Sequence, residues 1–135
     1  MVLIKRKVAV KAIVTEQFKE RLVAQLRQAL QQVELAQQQL EIQGGKYLSE
    51  LEDKDPAQGD AFRRKLERQK QKQEAIRAKL TEELAVAEKL ELGTEHLQGM
   101  LDGLVEVNVG DNLAEKLQAG EILVKDGLVV EVRHG

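Results

Sequence analysis

Ser49, His96 and His134 are the residues of this chain whose types most readily serve catalysis or metal binding, and none has the neighbours that such chemistry needs. A serine nucleophile requires a positioned base and a sharp strand-to-helix turn. Ser49 lies in "YLSEL", inside a heptad run. Two histidines without a single cysteine fall short of a zinc ligand set, and both read as ordinary surface or sheet residues. The absence of cysteine also removes thiol nucleophiles and disulfides, and fits a reducing compartment. "GGKY" at 44–47 has tyrosine where a phosphate loop needs serine or threonine. "DKDPAQGD" opens like a calcium loop at Asp53 and Asp55, but Ala57, Gln58 and Arg64 stand where a ligand, the glycine and the closing glutamate belong. The expectation is a protein that is not an enzyme and has no cofactor, no metal and no small-molecule substrate.

Two charged constellations remain. Around the only proline, "LEDKDPAQGD" gathers Glu52, Asp53, Asp55 and Asp60, a candidate partner-binding tip. Its structural reading assigns Pro56 and Gly59 to chain reversal and Asp60 to a helix N-cap. Just beyond it, Arg63, Arg64, Lys65, Arg68, Lys70, Lys72, Arg77 and Lys79 face only Glu67 and Glu74 in sequence. The first six of these bases are candidate nucleic-acid contacts, since such a strip can follow a phosphate backbone. It lacks the interleaved aromatics that stack on bases. The competing reading pairs these cations with Glu34, Glu41, Glu50 and Glu52 across a helix pair.

The elements that must carry these residues follow from periodicity. In residues 1–14, Val2, Ile4, Val8, Val10, Ala12 and Val14 alternate with Lys5, Lys7 and Lys11, which predicts a strand. Thr15 then caps a helix. Leu22, Leu26, Ala29, Val33, Ala36, Leu40, Gln43, Tyr47 and Leu51 form one heptad seam. Phe62, Leu66, Gln69, Gln73, Ile76, Leu80, Leu84, Ala87 and Leu90 form a second. Paired in reverse order, so that Tyr47 faces Leu66 and Val33 faces Leu80, their numbers always total 112 or 113, which predicts an antiparallel coiled-coil hairpin over 15–93 with its turn at 54–60. Gly44–Gly45 beside the polar seam positions reads either as a local kink or hinge, or as a tolerated defect or close helix approach. Gly93 is the expected helix end.

The remainder reads as strands. "HLQGML" is joined through Asp102–Gly103 to a strand with Val105, Val107 and Val109 on one face. "LAEKL" makes a helical turn, and Asp126–Gly127 closes a two-residue hairpin. Residues 1–14 hold four bases and no acid, while 93–135 hold eight acids against Lys116, Lys125 and Arg133, so strands from the two ends are expected to pair. The fold class is α+β: a long helical hairpin inserted between the N-terminal strand and the C-terminal strands of a small antiparallel sheet or partly closed barrel. Residues 1–14 and 94–135 form the β-rich base. Only Phe18, Tyr47 and Phe62 are aromatic, so large core fillers are scarce and an elongated molecule is expected.

Basic strand, heptad hairpin, "GLVEVNVGDN" and "EILVKDGLVVEVR" in this order resemble the YlqD family of bacterial proteins. The C-terminal forty residues are the specific part of the likeness. The resemblance implies this architecture and a bacterial cytoplasmic setting, and it carries over no catalytic or binding residue. No apolar run approaches the ~20 residues of a spanning helix, so a cytoplasmic protein with no membrane partner is expected. The functional expectation is an assembly or adaptor protein that forms a homo-oligomer and presents its hairpin to an unidentified protein partner. The alternatives are a nucleic-acid-associated factor using the basic strip 63–79, or a chaperone-like clamp.

Overall fold

A computed structural model describes residues 1–133; His134 lies outside the described residues. The elements are β1 (Val2–Ile13), α1 (Glu16–Gln39), a π-helical turn (Leu40–Gly44), α2 (Gly45–Lys54), α3 (Pro56–Glu88), β2 (Glu95–Val107), α4 (Leu113–Leu117), β3 (Gly120–Lys125) and β4 (Leu128–Arg133). They divide into two compact units, one of residues 1–20 and 90–135 and the other of residues 21–89.

The first unit is a four-stranded open sheet in the order β2-β1-β3-β4. β1 is central: it pairs antiparallel with β2 along its whole length and parallel with β3 from Val8 to Ala12. The sheet is therefore mixed, which corrects the all-antiparallel expectation. The segment carrying α4 crosses from β2 to the far side of β1, and that crossover makes β3 run parallel to it. β2 is also one strand, not two joined at Asp102–Gly103. Every one of its residues but the bulged Gln98 has a partner on β1, and Gly103 sits where a Cβ would come within 2.9 Å of Val8 Cγ2. Its glycine serves close approach rather than a turn. Val109 lies beyond the strand and is fully exposed. The β3–β4 hairpin closes through Asp126 (φ 48°) and Gly127 (φ 86°), the two positive φ values that a type I′ turn demands.

Alternation sorts the sheet residues onto two faces. One holds Val2, Ile4, Val8, Val10 and Ala12 of β1 with Val105 and Leu101 of β2, Ile122 and Val124 of β3, and Val129 and Val132 of β4; Arg6 is the only charged side chain there among the described residues. The other mixes Lys5, Lys7, Lys11, Asp102, Glu95, Glu121, Glu131 and Arg133 with the apolar Leu3, Ala9, Met100, Leu104, Leu123 and Leu128. On that charged face Arg133 bonds to Glu95 at 2.7 Å, although β4 and β2 are opposite edges of the sheet. The sheet therefore curls toward its charged face without closing.

Thr15 caps α1, accepting a hydrogen bond from the Phe18 N–H at 3.1 Å and donating its own hydroxyl to Asp126 at 2.6 Å. Phe18 stacks at a tilt on His96, with ring centroids 5.7 Å apart. At the other end α3 stops at Glu88, not at Gly93. Gly93 (φ 88°) instead belongs to the turn into β2 and donates its N–H to the Val14 carbonyl at 2.8 Å.

The second unit is an antiparallel helical hairpin. Its reversal takes a single residue, Asp55, in extended conformation between Lys54 and Pro56. Asp55, not Asp60, is the N-cap: its carboxylate accepts from the Gln58 N–H at 3.3 Å, and Pro56 supplies the preset φ of N1. Gly59 is helical and buried, since a Cβ there would meet Glu52 Cα at 3.2 Å. Its role is helix approach rather than chain reversal.

The reverse register holds with a small displacement. Gly44 faces Leu66, Glu41 pairs with Lys70 and Glu34 with Arg77, all centred on residue 55 or just beyond it. Tyr47 stacks edge-on against Phe62, at 4.9 Å between centroids, rather than facing Leu66. Ala36, Gln43, Gln69 and Ile76 of the expected seams are exposed, while Leu30, Gln37, Gly44 and Leu48 are sheltered.

Candidate functional site

The eight bases of α3 fall into two sets distinguished by helical phase. Arg63, Lys70 and Arg77 recur every seven residues on the flank that meets the acids of the other leg. Arg63 bonds to Glu52 and, at 3.4 Å, to Asp60; Lys70 reaches Glu41 at 3.3 Å; Arg77 reaches Glu34 and Glu74, each at 3.5 Å. Gln37 completes this flank by donating to Glu74 at 3.0 Å. An open groove of about 380 Å³ lies there between Gln37, Glu41, Lys70 and Gln73.

Arg64, Lys65, Arg68, Lys72 and Lys79 form the other set. All are exposed and none joins an ion pair among the described residues. Lys65, Arg68, Lys72 and Lys79 follow spacings of three, four and seven, so they run along one stripe of α3, with Arg64 beside it. On the first leg, Gln25, Gln32 and Gln39 make an exposed stripe of heptad period, joined by Gln43. They lie on the side of Val33 and Leu40 away from Glu34 and Glu41. The ion-paired cations of α3 occupy one side of its seam and the free ones extend from the other. The glutamines and free bases consequently share a flank. Between residues 21 and 49 the only acids are Glu34 and Glu41, both paired on the opposite flank.

At the candidate tip, Asp55 is committed to capping, and Glu52 and Asp60 both hold Arg63. Asp53 is exposed and joins no ion pair among the described residues. Hence the four tip acids do not act as one cluster. Of the six candidate nucleic-acid contacts, Arg64, Lys65, Arg68 and Lys72 are free for an external partner, whereas Arg63 and Lys70 are engaged within the hairpin.

In the sheet unit a charge network went unforeseen. Arg133 binds Glu95, Glu121 at 3.1 Å and Glu131 at 3.0 Å, and Lys11 binds Glu121 at 2.9 Å. The hydrogen bonds from Arg133 hold the Glu95 carboxyl below its usual range. Those from Lys11, then Arg133, do the same for Glu121, while the carboxylates raise the guanidinium. The alternation of Glu131 and Arg133 on one face of "LVVEVR" was the available signal. Among the described residues no group of three or more His, Asp or Glu is arranged to hold a metal ion.

A family model described as "YlqD protein" matches residues 2–133. The chain belongs to the YlqD family. It is 32% identical over 128 residues to the "Uncharacterized protein YlqD" of Bacillus subtilis (strain 168), which spans 95% of either chain. A crystal structure of a protein of unknown function from Synechococcus sp. WH 8102 superposes with a TM-score of 0.87 at 24% identity, covering 98% of this chain and 94% of that one. That likeness shows a shared fold. The YlqD sequence pattern thus extends across both the sheet and the hairpin. No helix among the described residues is long and apolar enough to cross a membrane.

Proposed function

We propose that the chain is a non-enzymatic assembly module: its sheet unit associates with a second copy, and its hairpin is presented to a macromolecular partner. The supporting observation is the uncharged face of the sheet. Val2, Leu101, Val129 and Val132 on that face are 61%, 55%, 61% and 53% exposed. Among the described residues Arg6 alone interrupts it with a charge, donating toward the Gln118 carbonyl at 3.4 Å. A contiguous apolar surface of this kind marks an interaction site in a soluble protein. A second copy supplies a matching face, and an isologous contact hides both at once. β4 strengthens this reading: it is an edge strand with Leu128, Val129, Val130 and Val132 all exposed and no proline or lysine along it to discourage pairing.

The test is mass in solution by light scattering at tens of micromolar. The intact protein is expected at two or more times the 15.2 kDa of one chain. Leu101→Glu and Val132→Glu are expected to return it to one chain with helical content unchanged. A 15.2 kDa species for the intact protein would overturn the reading.

A further inference from the structure

We infer that the hairpin flank opposite the ion pairs is a binding surface for the phosphate backbone of a duplex nucleic acid. This names the macromolecule to which the proposed module presents its hairpin. It rests on that reading for the role of the hairpin and is independent of the self-association.

The inference begins with how the charges are divided. Had the bases of α3 existed only to hold the hairpin together, all would sit on the flank that meets Glu34, Glu41 and Glu52. Three do. Lys65, Arg68, Lys72 and Lys79 turn the other way, toward a flank that carries no acid from the π-helical turn to the middle of α1. Side chains so placed gain nothing from one another, because like charges along a helix repel. Glu82 and Glu83 follow Lys79 by three and four residues, whereas Lys65, Arg68 and Lys72 have no acid at helical spacing, so these three gain free energy when an external anion lies along the stripe.

The spacing selects the anion. Lys65 to Lys79 spans fourteen residues of one helix, about 21 Å, and successive bases are roughly 4.5, 6 and 10 Å apart along the axis. A duplex carries about one phosphate charge per ~1.7 Å of axis with both strands counted, so a stripe of this length meets several charges of an extended polyanion rather than a single small anion. Gln25, Gln32, Gln39 and Gln43 beside the stripe add side-chain amides, which donate to phosphate and sugar oxygens without reading sequence.

Other anions fit less well. A single-strand groove stacks bases on aromatic side chains. The hairpin's two aromatic residues, Tyr47 and Phe62, are stacked on each other. Lipid headgroups are bound by helices that turn an apolar face into the bilayer, whereas the apolar stripe of α3 is turned toward the other leg through Leu66, Leu80 and Ala87.

The experiment is fluorescence anisotropy of the full chain with a labelled 20-base-pair RNA duplex and the DNA duplex of the same sequence. The corresponding single strands and vesicles of one-third anionic lipid serve as competing ligands. The expected result is duplex binding at 50 mM salt that weakens about 150-fold by 200 mM, a logarithmic slope of roughly −3.6 for four neutralised phosphates. The quadruple variant Lys65→Gln, Arg68→Gln, Lys72→Gln and Lys79→Gln should bind at least tenfold more weakly. Glutamine is a good helix former and these side chains make no ion pairs among the described residues, so helicity by circular dichroism should be unchanged. Each single variant should lower the slope by about one. Absence of duplex binding at 50 mM salt, equal binding by the quadruple variant, or tighter binding of single strands or vesicles would overturn the inference. Leu101→Glu in the same assay separates the two proposals. Duplex binding by a single-chain Leu101→Glu protein sustains this inference whether or not the intact chain self-associates, and loss of duplex binding leaves the assembly reading to its own test.

Discussion

In the sheet, β1 is tied by hydrogen bonds to β2 along its length and to β3 from Val8 to Ala12, whereas α1 and α3 share no backbone hydrogen bond among the described residues and meet only through side chains. The sheet can therefore leave Val2, Leu101 and Val132 half exposed and still keep its register, because the backbone fixes it. The hairpin has no such reserve. Its register depends on a few contacts: Leu66, 4% exposed and seated against Gly44; Gly59 against Glu52; the Tyr47–Phe62 pair; and the cations at 63, 70 and 77. Substitutions of similar size should then be felt very differently in the two units.

The sharpest test of that difference is Leu66→Asp beside Val132→Lys. A carboxylate at position 66 enters a buried site with no cation shown to meet it, at a cost of about 4 kcal/mol or more. Loss of most helical circular dichroism is expected. Measured in the single-chain Leu101→Glu protein, where no association is left to lose, Val132→Lys on the exposed sheet face should change the unfolding midpoint little. Comparable destabilisation by both would remove the contrast.

A second variant probes the same seam from the opposite direction. The Gln73 side-chain oxygen, at the floor of the open groove, is buried and has no hydrogen-bond partner among the described residues. Such an acceptor costs roughly 1–3 kcal/mol, so Gln73→Leu should raise the denaturation midpoint of the hairpin. A fall would mean that the amide holds a bond worth more than the apolar contact that replaces it.

The single-residue reversal is the next smaller effect. Asp55→Ala removes the N-cap of α3 and should cost about 1 kcal/mol, while Asp55→Asn should cost far less because asparagine caps equally well. If the two variants are equally destabilised, the charge of Asp55 matters rather than its capping bond. This variant also bears on the acidic tip, because it separates the one aspartate with a defined structural task from the exposed Asp53.

What was legible in the sequence differs between the units for the same reason. The strand at 2–13, the Thr15 cap and the Asp126–Gly127 turn are local signals, and the structure has each of them. The strand order is not local. Nothing within β3 announces that it will lie parallel to β1, and a glycine after an aspartate at 102–103 reads as a turn until the opposing Val8 is known. In the hairpin, counting heptads from Leu22 drifts by about 20° per repeat against a straight helix. That drift selected Ala36 and Gln43 where Gln37 and Gly44 face inward. Gly44 was invisible as a seam residue because it has no side chain, yet its lack of one admits Leu66 where the helix widens into a π turn. The division of the basic strip was within reach: Glu34 and Glu41 are seven apart, as are Arg63, Lys70 and Arg77, and the remaining bases fall out of that phase.

The smallest expected effect lies in the Arg133 network, which extends the comparison to charge. The hairpin gives each paired cation one or two carboxylates, while the sheet sets one guanidinium against Glu95, Glu121 and Glu131 and so draws opposite edges together across its charged face. Glu95 and Glu121 titrate below their ordinary range in the folded chain. A depressed carboxyl contributes stability that is fully present above its unfolded pKa and lost as pH falls through the folded one. The intact sheet should accordingly lose stability on acidification below about pH 4.5. Arg133→Gln should flatten that loss while changing stability at neutral pH only slightly, since partly exposed ion pairs are individually weak. The hairpin variants should retain the acid dependence of the sheet. An unchanged acid response in Arg133→Gln would mean that the curl of the sheet is held by its backbone ladder alone, and that the network follows the curvature rather than maintaining it.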